Sequence, residues 1–178
     1  QCNRTYTLPQ LYSYVTEQNP ILQNADTMLL LPDLLGYFLT GEKTSEMTIA
    51  GTSCLMETTQ EEWSREVAAR FSIPDRIYTK IIDPGTVKGI LSDRVKAETG
   101  SRQTKLIAAV GHDTASAVAA IPGFGPEKLY ISVGTNINMG VEREQVFVND
   151  TAYRKGLKNT GGISRRKIVY RDFSACWH

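Results

Sequence analysis

The chain has 178 residues, enough for one ordinary domain or parts of two. Its side chains are 41% apolar and 22% charged, the proportions of a globular protein rather than a disordered one. Twenty basic against 19 acidic side chains leave a formal charge of +1. That balance argues against a nucleic-acid partner, and no apolar run is long enough to span a membrane.

Leu8 to Thr16 has helical spacing, with Leu11, Tyr14 and Val15 on one face and Pro9 in the first turn. Asn19-Pro20 breaks it. Asn24 or Asp26 is expected to cap a second segment ending before Pro32. A third helix, Asp33 to Leu39, starts on Pro32 and closes at Thr40-Gly41, and Leu34, Leu35, Phe38 and Leu39 are expected to be its buried face. Thr44 to Glu57 is small and polar and reads as irregular or partly extended. Thr59-Gln60-Glu61-Glu62 fits a capping box ahead of a helix burying Trp63, Val67 and Phe71 and stopping before Pro74.

Asp83-Pro84-Gly85-Thr86 is a turn, and Ser92 to Glu98 a short capped helix ending at Gly100. Leu106 to Val110 has the composition of a fully buried strand. Gly111-His112-Asp113 then leads into the small-residue run Ala115 to Ala120, which reads as a helix. Pro122-Gly123-Phe124-Gly125-Pro126 is the clearest boundary in the chain. Leu129 to Val133 is a strand that Asn136 to Val141 can pair with through Gly134-Thr135. The last stretch is basic, with Arg154, Lys155, Lys158, Arg165, Arg166, Lys167 and Arg171, and reads as a solvated face. Asp172 lies within it.

Cys2, Cys54 and Cys176 are odd in number and scattered, which speaks for a reducing, cytoplasmic compartment. Two histidines and no cysteine pair at ligand spacing give no metal site. The chain opens on Gln1 rather than Met and closes in a partly apolar run, so both ends read as cut.

Asp113 is the first candidate for chemistry. At a strand-to-helix junction it sits where α/β sheets bind ligands, and a helix N-terminus favours its charge. A hydroxyl attacking a phosphoryl group needs such a proton acceptor. By spacing alone Asp113 or Thr114 reads first as a helix cap, and His112 as a supporting or packing residue. Gly134-Thr135 is the second candidate: Gly after a strand aims backbone N–H groups into a concavity and Thr adds a donor for phosphate oxygens. A plain hairpin turn is the other reading.

Taken together these residues resemble the FGGY carbohydrate kinases. The resemblance rests on Leu31-Pro32-Asp33-Leu34-Leu35 with Leu39-Thr40-Gly41-Glu42, Met47 to Ser53, Asp83-Pro84-Gly85-Thr86 with Gly89, Gly111 to Ala117, and Ser132-Val133-Gly134-Thr135. Within that family, Gly-His-Asp-Thr-Ala-Ser-Ala and Asn159-Thr160-Gly161-Gly162 are most similar to rhamnulokinases. The resemblance runs through nearly the whole chain but covers only the middle of a family member. It implies an α/β, ribonuclease H-like fold with parts of two domains, residues 1–121 and 122–178.

It also implies ATP and Mg²⁺ as cofactors and a small sugar as substrate, L-rhamnulose first, with L-fuculose or xylulose as alternatives. Asp113 is implied as the base and His112, Asp113, Thr114 and Asp172 as sugar contacts, Asp172 standing where rhamnulokinases carry an Asn. Gly134 and Thr135 are implied as the ATP-phosphate contact. A sugar-binding relative without chemistry is the rival from another class. The isolated segment is expected to be inactive, and its unpaired sheet edges leave self-association open.

Overall fold

A computed structural model of the chain describes residues 4–123, 125–134 and 137–173. Helix α1 (Thr7–Thr16) ends where Asn19 starts α2 (Pro20–Asn24). The Asn19 side chain accepts the amide of Ile21 at 2.9 Å, and Pro20 fills the first turn, where its missing N–H is not needed. The cap therefore lies at Asn19 rather than at Asn24 or Asp26, and residues 25–30 are not helical.

Helix α3 (Leu31–Thr40) begins on Pro32 and ends at Gly41, whose φ of +81° suits only glycine well. Its buried face is the opposite of the expected one. Asp33 and Gly36 are buried, while Leu35 and Phe38 are 56% and 63% exposed. The cause is Lys88. Its side chain passes over Gly36, where a Cβ would meet it at 3.3 Å, to reach Asp33 at 2.5 Å.

Strand β1 (Thr44–Glu46) runs into α4 (Met47–Ala50) and a 3₁₀ turn at Gly51–Ser53. The stretch is extended only at its ends; its centre, expected to be irregular or extended, is helical, and Ser45, Glu46, Met47, Thr48, Ala50, Ser53 and Leu55 are all buried. Strand β2 (Met56–Glu57) pairs with β3 (Glu62–Trp63), and α5 (Arg65–Arg70) follows. The capping box at Thr59 does not form. Thr59 instead binds Glu57 within the β2–β3 turn, Trp63 stacks on Tyr78 at 4.9 Å and donates Nε1 to the Thr79 carbonyl at 2.6 Å, and Ser64 caps the helix. Pinning Trp63 in this way holds Glu62 extended. Val67, Phe71 and Trp63 still pack on the core formed by Leu22, Leu55, Ala68, Ile73 and Ile77.

Strand β4 (Lys80–Ile82) lies parallel to β1, with Ser45 opposite Ile81. A hairpin of β5 (Val87–Ile90) and β6 (Lys105–Ile107) encloses α6 (Asp93–Thr99), which Ser92 caps and Gly100 ends. The expected buried strand stops at Ile107, which is 48% exposed. Having only β5 beside it, this strand alternates faces instead of being covered on both. Ala108 is buried and ties the chain to the Asp83–Thr86 turn through Gly85 and Thr86.

Helix α7 (Asp113–Ala119) then packs on an antiparallel sheet. That sheet contains β7 (Leu129–Val133), β8 (Ile137–Arg143), β9 (Lys158–Gly161) and β10 (Lys167–Phe173), in the order β7-β8-β10-β9, with α8 (Asp150–Arg154) between β8 and β9. Ala115 and Val118 of α7 meet Tyr130 and Ile168 of the sheet. Gly140 faces both Tyr130 and Tyr170 across the strands, and a Cβ there would come within 2.7 Å of the Tyr130 ring. The basic stretch is only partly a solvated face: Lys167 is buried and paired with Glu61, and Arg166 binds buried Glu142 at 2.8 Å.

Candidate active site

The segment that carries Asp113 is held by its own amides, which donate to side chains at the end of β1 and the start of α4. Glu46 is buried, and its carboxylate accepts the amides of Thr48 and Ile49, the Thr48 hydroxyl, and the amide of Gly111 at 2.9 Å. Thr48 Oγ1 accepts the His112 amide at 3.2 Å. The Glu46 amide in turn donates to Asp33 at 3.1 and 3.3 Å. Burial pushes the Asp33 carboxyl above its ordinary range, and the hydrogen bond and charge of Lys88 work against that rise.

Asp113 opens α7 with its side chain exposed, and His112, not Asp113, occupies the cap position, without a side-chain cap bond. Asp113 Oδ1 accepts the Thr114 amide at 2.6 Å and stands 3.6 Å from His112 Nε2. Burial lowers the His112 pKa from 6.5, while Asp113, Glu46 and Asp172 pull it back up. A neutral imidazole with its proton on Nε2 leaves Nδ1 as an acceptor, and Nδ1 is buried without a partner among the described residues.

A cleft of about 880 Å³ runs between this turn and the antiparallel sheet. His112, Asp113 and Thr114 line one side, and Ser132, Gly134, Asn138, Lys158 and Asp172 another. Five of the six expected site residues therefore border one cavity. The sixth, Thr135, lies outside the described residues, as do Asn136 and the Cys176-Trp177 run. Cys54, expected as a small buried residue, is half-buried and borders the cleft with a left-handed φ of 62°.

Asp172 is not a lone carboxylate. It forms an ion pair with Lys158, which also donates to the Tyr6 hydroxyl at 3.1 Å. Burial works against the Lys158 charge, but the bonds to Asp172 and Tyr6 and the Asp172 charge outweigh it and raise the pKa. Burial and the Asp172 charge push the Tyr130 phenol up to about 12. Asn138 Oδ1 and Thr160 Oγ1 are buried without partners among the described residues, and both side chains border the cleft. Lys158, Tyr6 and Asn138 had no motif to mark them, Thr160 stood in the Asn159-Thr160-Gly161-Gly162 segment without a role of its own, and Glu46 and Thr48 sit in a stretch whose polarity gave no sign of burial. Among the described residues no cluster of three or more His, Cys, Asp or Glu could hold a metal ion, and no helix is long and apolar enough to cross a membrane.

Residues 1–120 match the N-terminal domain of the FGGY family of carbohydrate kinases. The chain belongs to this family. It is 30% identical to a rhamnulokinase of Bacteroides thetaiotaomicron, over 96% of this chain and 35% of that protein. It is 28% identical to a rhamnulokinase of Enterococcus faecalis, over 94% of the chain and 34% of the relative. This FGGY chain thus spans about a third of the length of the curated relatives it matches. The crystal structure of a ligand-bound xylulose kinase from Lactobacillus acidophilus superposes with a TM-score of 0.82 at 14% identity, covering 94% of this chain and 34% of that one. The fold is the α/β, ribonuclease H-like fold of the FGGY sugar kinases.

Proposed function

We propose that the full-length protein transfers the γ-phosphoryl group of ATP to a hydroxyl of a sugar, with Asp113 as the base. The observation that carries this reading is the placement of Asp113, exposed at a polar cleft that Gly134 also lines. In the reaction the Asp113 carboxylate takes the sugar hydroxyl proton. The freed oxygen bonds to the γ-phosphorus as the bond to the ADP oxygen breaks, and ADP leaves with that electron pair. His112, Asn138 and Thr160 border the cleft and each carries a polar atom without a partner among the described residues, which supports them as sugar contacts. Thr114 and Asp172 add further contacts on the same reading.

The donor set fits a nucleotide phosphate: Gly134 follows β7 directly, and Thr135 comes next in sequence. Mg²⁺ commonly binds through one or two carboxylates together with substrate phosphates, so a site without a protein cage suits it. When bound it neutralises phosphate charge. The cleft is read as the gap between two domains, residues 1–121 and 122–178.

L-rhamnulose is the leading substrate, supported by the two rhamnulokinase relatives. The Lys158–Asp172 pair, where those enzymes are read to carry a neutral Asn, favours trying L-fuculose and xylulose as well. A coupled ADP-release assay of the full-length protein against these ketoses tests the reading. Phosphorylation of L-rhamnulose is expected, and Asp113→Asn should abolish it while ATP still binds. Near-normal turnover of Asp113→Asn would remove Asp113 from the role.

A further inference from the structure

We infer that Glu46, acting with Thr48, is a positioning residue that sets where Asp113 stands; for its catalytic consequence this rests on the reading of Asp113 as base. Asp113 has an exposed side chain whose contacts are to its neighbours Thr114 and His112. Among the described residues no distant group holds the carboxylate itself, so its position is decided by the main chain that delivers it. The two amides just ahead of it are both held from the β1–α4 junction: Gly111 N–H by Glu46 Oε2, and His112 N–H by Thr48 Oγ1.

Glu46 does more than a helix cap requires. Capping α4 uses the amides of Thr48 and Ile49. The bond to Gly111 reaches 65 residues along the chain and adds nothing to α4. The Thr48 hydroxyl donates to Glu46 Oε2 at 2.6 Å while accepting from His112, so one carboxylate orients both contacts. The clamp is anchored at its far end by Asp33, which accepts the Glu46 amide and is paired with Lys88. Gly111 completes the fit, since a Cβ there would lie 2.9 Å from Glu46 Oε2. Reacting groups misplaced by about 1 Å can lose a hundredfold in rate, so such a clamp bears on turnover more than on binding.

Thr48→Val, Thr48→Ser and Glu46→Gln in the full-length protein form the test. Steady-state kinetics and hydrogen-exchange mass spectrometry of the 108–114 segment are read together. Thr48→Val should exchange at least tenfold faster in that segment and lose at least tenfold in kcat, with the KM for ATP within twofold. Thr48→Ser keeps both bonds and should restore protection and at least half of kcat. Glu46→Gln should resemble Thr48→Val if it folds. Unchanged exchange in Thr48→Val overturns the clamp whether or not the protein phosphorylates a sugar. Faster exchange with an unchanged kcat overturns its catalytic role. A wild-type protein inactive on every sugar would instead sink the kinase reading, and the exchange comparison would still decide the clamp.

Discussion

The amide of Gly111 donates to the buried carboxylate of Glu46 at 2.9 Å, and a Cβ on Gly111 would sit at that same distance from the same oxygen. The bond and the absent side chain are two sides of one close approach. Gly111→Ala must also push on Ile49, 3.1 Å from the added carbon. Overpacking of this kind costs about 1–3 kcal/mol. Urea unfolding should show a lowered midpoint with an unchanged slope, and kcat should fall further than the loss of folded protein explains.

The imidazole of His112 is expected to titrate below 6.5, because burial disfavours its charge more than nearby carboxylates favour it. The unfolded chain takes up this proton near 6.5 and the folded chain only at lower pH. Between those values the unfolded state binds more protons. The resulting stability is fully present above about 6.5 and is lost as pH falls through the folded value. NMR titration, with the His112 signal assigned by its loss in a His112→Gln variant, follows this ring, and a midpoint at or above 6.5 would contradict the burial argument. Catalysis should decline over the same window, since a protonated ring 3.6 Å from Asp113 Oδ1 competes for the carboxylate.

What was legible in the sequence, and what was not, divides by the kind of signal. Caps and turns with a steric cause could be read directly: Gly41 and Gly100 end α3 and α6 in left-handed conformations, and Ser92 caps α6. Asp113 and Gly134 stood out because each follows an apolar run, and they border the same cleft. Apolar spacing misled at α3, because a buried Lys88–Asp33 pair claims the face that Leu35 and Phe38 were expected to fill. The burial and partners of Glu46 and Thr48 were not legible for the same reason: they are polar groups buried by partners far away in sequence, and no local pattern records a partner 65 residues distant. Lys158 is the same case, since read by composition it is one more residue of a basic stretch.

The Lys88–Asp33 pair makes an uneven pair of mutants. Both side chains are nearly inaccessible, at 6% and 0% exposure. Asp33→Ala strands a buried ammonium and removes the acceptor of the Glu46 amide, and breaking such a pair costs about 3–5 kcal/mol. Asp33→Leu with Lys88→Met should be less damaging than Asp33→Ala alone, since no charge is left unpaired. Thermal unfolding of both variants checks the order. If the double variant is the less stable of the two, the pair contributes by attraction rather than by mutual neutralisation.

Asp172 and Lys158 offer the most direct view of substrate choice. Their side chains are 35% and 25% exposed, so solvent screens the pair and its coupling should stay near 1 kcal/mol or below. Lys158→Met leaves the Asp172 charge beside Tyr130 and Tyr170, whose phenols its charge already helps to raise. Asp172→Asn leaves Lys158 beside Tyr6 and the Tyr170 ring and puts a neutral amide on the cleft wall. Each single change should raise or lower the KM for sugar at least threefold while the KM for ATP stays within twofold, because both side chains border the cleft alongside His112. Asp172→Asn should shift preference among L-rhamnulose, L-fuculose and xylulose in a competition assay. An unchanged preference together with an unchanged sugar KM would mean the pair only joins β9 to β10.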